Sequence, residues 1–316
     1  MKNNQKCAII GCGNVGATTA YTLLQSRLIS ELVLIDIDKK RAEGEALDLL
    51  HSMPFFSPVN IFAGDYCDLR DCGIIIIAAG ANQKPGQTRL DLVKANTRIF
   101  RSIVDGIIRY NTEATILVVT NPVDILTYET LKQSGLPQNH VIGSGTVLDT
   151  ARLKYLMGRY FGVDPRNVHA FIIGEHGDSE LAVWSSANIS GIDLDSFCER
   201  CHHHHCDMVK LEEIYENVKN SAYKIIEAKG ATYYAIADAV RRIVSAIIRD
   251  EKTILTLSVA VNGEYGLSDM CIGLPCLVGR DGVEKILEIP LNDDELRRLR
   301  GSAASLKKII DDIESN

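Results

Sequence analysis

Several side chains at strand and helix ends have the types that acid–base and anion chemistry need. The stretch NVHAFIIGEHGDSE closes an apolar run at His176, with Gly174 and Glu175 before it and Gly177 after. Most histidines are neither ligands nor bases, but flanking glycines let backbone and ligand come close and so favour a working imidazole. In LDTARLKYLMGRY, Asp149 and Arg152 lie one helical turn apart, where an ordinary surface ion pair is worth only a few tenths of a kcal/mol. Helical phase argues for more: Asp149 is in register with Leu153, Leu156 and Tyr160, so it falls on the inward face with Arg152 beside it. An inward charge needs a partner, and a histidine oriented by an aspartate is the arrangement that stabilises an imidazolium and fixes its tautomer. Asn121 ends the run ATILVVT just before Pro122, which restricts it to an extended conformation; a loop cap and a ligand contact suit it equally. The loop AGANQKPGQTRLDL, residues 79–92, follows one of the most apolar runs and carries Gln83, Lys84 and Arg89.

A second constellation is cofactor-like. IIGCGNVGATTA places Gly11, Gly13 and Gly16 directly after a strand pattern and at the mouth of a helix, and Asp36 closes the next strand, LVLID, twenty residues past Gly16. The glycines permit a tight turn and close backbone approach, the exposed helix N-terminus stabilises a pyrophosphate, and the carboxylate accepts from adenosine ribose hydroxyls. A lone glycine triplet is weak evidence, since many turns are glycine-rich. The full order of strand, glycines, helix, strand and acid points instead to dinucleotide binding. The carboxylate of Asp36 repels the extra phosphate of NADP, so NAD is the expected cofactor.

The elements that must position these residues are read from periodicity. The first half alternates KCAIIG, a helix over 17–28, ELVLID, a helix over 39–51, GIIIIAAG, a helix over 92–110 and ATILVVT. That alternation predicts βαβ units and a Rossmann-type, doubly wound parallel sheet, whose ligands sit outside the carboxyl ends of the strands. The second half reads as an α+β substrate domain, with helices over 149–161, 207–228, 231–249 and from 293, and strands over 167–173, 254–261, 270–278 and 283–289. Ile236, Val240, Ile243, Val244 and Ile247 form one core-facing stripe. The boundary is placed near residue 145, giving an NAD-binding domain over 1–145 and a catalytic domain over 146–316.

Composition narrows the class. A chain of 316 residues, 46% apolar and 24% charged, is a globular protein of two domains. The apolar run from Ile74 to Ala81 is far shorter than the roughly 20 residues a membrane span needs. The N-terminus passes straight into a strand, so no cleavable signal is expected and a cytoplasmic location is. A net charge of −7 argues against a general nucleic-acid binder. Nine scattered cysteines read as reduced thiols without disulfides.

The motifs GCGNVG, AGANQKPGQTRLDLVKAN, TNPVDILT, GSGTVLDTAR, IIGEHGDSELAVWS and KGATYYAIA together resemble the L-lactate dehydrogenase branch of the lactate/malate dehydrogenase family, in its bacterial form, over essentially the whole chain. The resemblance implies that His176 exchanges the proton at the substrate C2 oxygen while Asp149 holds it. Arg152 would grip the substrate carboxylate, Arg89 polarise the carbonyl, Asn121 bind the same oxygen and the cofactor, and Thr232 line the pocket. Further cofactor contacts implied are Val15, Arg41, Tyr66, Gly80, Ala81, Ser102, Val119 and Ser144. Thr88 and Asp91 fit a helix-capping pair with Pro85 and Gly86 just ahead, so the loop carrying Arg89 is expected to swing as a lid. Gln83 stands where malate-specific relatives have arginine; a second substrate carboxylate would be buried unpaired there, so pyruvate and lactate are expected substrates, with a malate or other 2-hydroxyacid dehydrogenase as the alternative. Lys84 is expected to face solvent.

The family pattern further implies a homotetramer and, in many bacterial members, activation by fructose 1,6-bisphosphate through an arginine and a histidine. Here the histidine position is His169 and the arginine position holds Lys154, which keeps the charge but loses the two-pronged geometry. The run CERCHHHHC, residues 198–206, lies outside the pattern. Cys198, Cys201 and Cys206 with four adjacent histidines lack paired ligand spacing, so a solvated loop and no metal site are expected.

Overall fold

The computed structural model describes residues 3–81, 89–200 and 208–314, with the side chains of residues 89, 90 and 200 outside that description. The first half is laid out as β1 (Asn3–Ile10), α1 (Asn14–Ser26), β2 (Glu31–Ile35), α2 (Lys39–His51), β3 (Asn60–Ala63), β4 (Cys72–Ile77), α3 (Arg89–Ile108), β5 (Thr115–Val118), α4 (Val123–Ser134) and β6 (Val141–Gly143). These six strands run parallel in the order β3-β2-β1-β4-β5-β6, the doubly wound order in which dinucleotides bind across the strand ends.

Side-chain alternation explains why the central strands are apolar throughout. Ile74 and Ile76 of β4 join a core with Leu23 and Leu24 of α1, whereas Ile75 and Ile77 join another with Phe100 and Ile107 of α3. All four isoleucines are fully buried, each contributing about 1.5–3 kcal/mol. A strand covered on both faces has no polar positions to spare.

The second half contains α5 (Val147–Phe161), β7 (Val168–His169), β8 (Ile172–Ile173), β9 (Leu181–Ala182), β10 (Asn188–Ile189), β11 (Ile192–Asp193), α6 (Leu194–Arg200), α7 (Met208–Lys229), α8 (Tyr234–Ile248), β12 (Thr253–Asn262), β13 (Ser268–Gly279), β14 (Gly282–Ile286) and α9 (Asp293–Glu314). Strand β12 pairs antiparallel with β6 through Ser258 and Gly143. The β12-β13-β14 hairpins thereby extend the parallel sheet to nine strands. The stripe on α8 is buried at Val240, Ile243, Val244 and Ile247, and a separate core joins Leu153 and Met157 of α5 to Leu211 and Tyr215 of α7.

Some elements depart from the periodicity reading. The strand expected over 167–173 is two short strands in different sheets, β7 beside β10 and β8 beside β9. Its course is set by α5, because Thr150 Oγ1 accepts the Ile172 N–H at 3.0 Å and Thr146 Oγ1 donates to the Ile172 carbonyl at 2.6 Å. Helix α4 was not anticipated: its buried set, Val123 to Thr127 with Glu129 and Thr130, runs nearly round the helix and mixes in polar residues, so no stripe marks it. Strands β3 and β6 are too short to show a period. Helix α1 begins at Asn14 rather than 17, since the packed Gly16 carries no apolar signal. Among the described residues no helix is long and apolar enough to cross a membrane, and the cysteines are free.

Candidate active site

Helix α5 presents Asp149 in its first turn, and the loop after β8 presents His176. Oδ2 of Asp149 lies 2.6 Å from Nδ1 of His176, while Oδ1 accepts from Nη1 of Arg152 at 2.9 Å. The side chain of Asp149 is only 4% exposed, against 24% for His176 and 14% for Arg152, so the carboxylate is enclosed and its two cationic partners keep an open edge. Burial alone would lower the imidazole, but the charge and hydrogen bond of Asp149 outweigh it, with Glu180 and Asp124 adding, and raise His176 from 6.5 to about 9. Burial likewise works to raise Asp149, yet His176 and Arg152 hold it below the usual carboxylate range. At neutral pH the pair is an imidazolium on a carboxylate. With Nδ1 occupied, Nε2 is the ring nitrogen left to serve a substrate.

The loop is pinned from three sides. The His176 N–H donates to Oδ2 of Asp124 on α4 at 2.8 Å. Gly174, at φ +95°, exchanges backbone hydrogen bonds of 2.9 and 3.0 Å with Gly273 of β13. The Glu175 N–H donates to Oγ of Ser302 on α9 at 2.8 Å. A side chain at Gly273 would meet the Gly174 carbonyl at 2.7 Å, so the close approach requires glycine.

The residues present fit NAD at the ends of β1 and β2. Gly11 has φ +101°, and a Cβ there would stand 2.4 Å from the Ala79 nitrogen; one at Gly16 would stand 1.8 Å from the Gly11 carbonyl oxygen. A Cβ at Gly13 would meet nothing within 4 Å, which leaves open space over an α1 N-terminus that has no side-chain cap. The Asp36 carboxylate is oriented by the N–H groups of Cys12 at 2.7 Å and Asp38 at 2.9 Å, with lone pairs left for ribose hydroxyls.

Gly80 and Ala81, Val119 and Asn121, and Ser144 follow the carboxyl ends of β4, β5 and β6. Val15 is half-buried on α1, and Arg41 and Ser102 are exposed on α2 and α3. Tyr66 lays its ring against Gly106 of α3. Thr232 is half-buried just ahead of α8 and makes no hydrogen bond to the His176 cluster among the described residues. Lys154 is half-buried on α5, where burial lowers its pKa, and His169 is exposed on β7. Gln83, Lys84, Pro85, Gly86 and Thr88, and with them the expected lid, lie outside the described residues, as does the side chain of Arg89. Cys201, His202 to His205 and Cys206 lie outside them too, while Cys198 is buried in the α5–α7 core.

Three participants escaped the sequence reading. Asn96 of α3 is 1% exposed; its Oδ1 accepts the Ala81 N–H at 2.7 Å and its Nδ2 donates to the Asn121 carbonyl at 3.1 Å, tying the loops after β4 and β5 together. Asp124 and Glu180 are the others, both buried beside His176. Asn96 lies inside α3, Asp124 in the first turn of α4 and Glu180 just ahead of β9, and nothing in the sequence beyond a polar side chain marks any of them.

Comparison with known proteins adds an independent line. Residues 5–143 match the family model of the lactate/malate dehydrogenase NAD binding domain, and residues 146–316 that of the alpha/beta C-terminal domain of the same family. An L-lactate dehydrogenase of Acetivibrio thermocellus is 58% identical over 98% of each chain, and L-lactate dehydrogenase 1 of Clostridium acetobutylicum is 52% identical over 99% of this chain and 100% of its own. Among solved structures, a lactate dehydrogenase from a Medee basin deep-sea metagenome library superposes with a TM-score of 0.96 at 44% identity, covering 99% of this chain and all of that one. The minor L-lactate dehydrogenase of Enterococcus mundtii, in a ligand-bound form, gives 0.94 at 41% identity over 98% of each.

Proposed function

Because the chain belongs to the lactate/malate dehydrogenase family, we propose that it is an NAD-dependent L-lactate dehydrogenase interconverting pyruvate and L-lactate. The observation that carries the reading is the buried Asp149 carboxylate shared between His176 and Arg152. When bound, the reduced nicotinamide supplies the hydride. Arg152 takes the substrate carboxylate on its guanidinium fork. His176, kept protonated by Asp149, gives the Nε2 proton to the oxygen that becomes the lactate hydroxyl and takes it back in the reverse direction. Asn121 binds that oxygen, Thr232 lines the pocket, and Arg89 supplies positive charge where alkoxide charge develops.

Gln83 selects the substrate in this reading. A closed site with a neutral amide accepts the methyl of pyruvate but would bury the second carboxylate of oxaloacetate without a partner, at a cost of several kcal/mol. The division between cofactor and substrate halves falls at about residue 145. The same proposal includes a cytoplasmic enzyme of fermentation that assembles as a homotetramer, with Lys154 and His169 offered to fructose 1,6-bisphosphate. The family resemblance supports these points; sedimentation, and turnover at low pyruvate with and without the bisphosphate, test them.

The deciding assay is NADH oxidation followed by absorbance with pyruvate, oxaloacetate and bulkier 2-oxo acids. Pyruvate should be preferred by orders of magnitude in kcat/KM. Equal rates on pyruvate and oxaloacetate would overturn the specificity, and no turnover with any of them would overturn the function.

A further inference from the structure

The cluster holds one more carboxyl, to which the reaction assigns no task. Glu180, just ahead of β9, is 4% exposed, and its Oε1 is buried with no hydrogen-bond partner among the described residues. One side-chain nitrogen or carboxylate oxygen from each of Asp149, His176 and Glu180 lies within 4.8 Å of the others. Helix α5 faces Glu180 with Asp149 and Arg152, the preceding loop with His176, and α7 with Lys219. Tyr215 of α7 donates its hydroxyl to the Glu180 carbonyl and has Arg298 of α9 5.2 Å from its ring centre. Asp124 of α4 bears on the other side of His176 through the backbone.

Charge balance decides what Glu180 does. Lys219 is already paired with Glu216 at 3.4 Å. Among the described side chains an ionised Glu180 therefore puts two carboxylates against the His176 imidazolium and the Arg152 guanidinium, and an arriving monocarboxylate leaves these four groups and the substrate with a net negative charge. If Glu180 is protonated, the cluster carries one net positive charge, which the substrate cancels. Enclosing an uncompensated charge is costly, so the loaded site selects the protonated form. Burial and the charge of Asp149 already push the Glu180 carboxyl well above its ordinary range, against His176, Arg152 and Lys219.

We propose that Glu180 is a positioning residue that must hold its own proton for a 2-oxo monocarboxylate to bind productively, so that the site loads with two protons, one on His176 and one on Glu180. This rests on the reading of the protein as a lactate dehydrogenase. Only the His176 proton moves to the substrate oxygen; the Glu180 proton stays in place through turnover and leaves only as the free site is titrated.

The test is the alkaline limb of kcat/KM for pyruvate at saturating NADH. Two required protons make it steepen toward about 100-fold per pH unit, and Glu180→Gln, which is permanently neutral, should reduce the fall to about 10-fold. A fall of about 10-fold in the unaltered enzyme, or an unchanged steep limb in the variant, overturns the proposal. Should the variant fail to fold, calorimetry on the unaltered protein with bound NADH decides. Binding of oxamate near pH 9.5, compared between buffers of different ionisation enthalpy, should take up more than about one proton, and uptake of one or less overturns it. Pyruvate turnover with a one-proton limb removes Glu180's role alone, whereas no pyruvate turnover removes the functional reading with it.

Discussion

The backbone N–H of His176 donates to Oδ2 of Asp124 across 2.8 Å, so a carboxylate from the first half of the chain sets where an imidazole from the second half stands. Burial pushes the Asp124 carboxyl up to about 6 against the Ser258 hydroxyl and the His176 N–H, both of which favour its charged form. Asp149 holds the ring of the same histidine at Nδ1. Main chain and side chain of His176 are thus anchored to different helices, α4 and α5.

Replacing Asp149 by Asn keeps the shape but removes the charge that holds His176 protonated and fixes its tautomer. Pyruvate reduction should fall about 1,000- to 10,000-fold in kcat, and its alkaline limb should move to lower pH. Steady-state kinetics on the purified variant checks this; a loss under about tenfold would show that Asp149 is not needed to orient the ring.

The raised pKa of His176, from 6.5 to about 9, makes opposite predictions for the two directions. Reduction needs the imidazolium and should decline as pH rises through about 9, while lactate oxidation needs the free base and should rise over the same range. Stability follows with a definite sign. A folded-state pKa above the unfolded value contributes stability that is fully present below 6.5 and is lost as pH rises from there through about 9. Thermal melts across that window should show Tm falling, and Asp149→Asn should flatten the fall.

Gln83→Arg tests specificity. An arginine would pair with the second carboxylate of oxaloacetate, so the pyruvate preference in kcat/KM should shrink by about 100-fold or more, or reverse. Parallel assays with the two acids measure it, and an unchanged ratio would remove Gln83 from the pocket.

Asn96→Ala should loosen the loops after β4 and β5 at once. Losing a buried side chain with bonds to Ala81 and Asn121 should cost about 1–3 kcal/mol. Denaturant unfolding reads that cost directly. The Kd for NADH should rise as well if, as the proposed function has it, those strand-end loops border the cofactor; full stability with unchanged NADH binding would count against the role.

The glycine fingerprint with Asp36 was legible because strand, turn, helix and acid are neighbours in the chain and each step follows a local rule. The inward direction of Asp149 was legible for the same reason, since helical phase places it with Leu153. Asn96, Asp124 and Glu180 were not, because a polar residue gives no periodic sign that it will be buried. Helix α4 was hidden for a related reason: a helix enclosed on most sides has no apolar stripe to read.

The sequence by itself therefore determined the doubly wound half, the cofactor turn and the residue types available for a hydride-transfer site. Tertiary structure decided which charges meet. It brought Asp149 and Arg152 from α5, His176 from the loop after β8, Asp124 from α4 and Glu180 from beside β9 into one enclosed cluster. Burial and through-space charge act over a few ångströms regardless of chain separation, so the protonation states on which the chemistry turns exist only once the chain has folded.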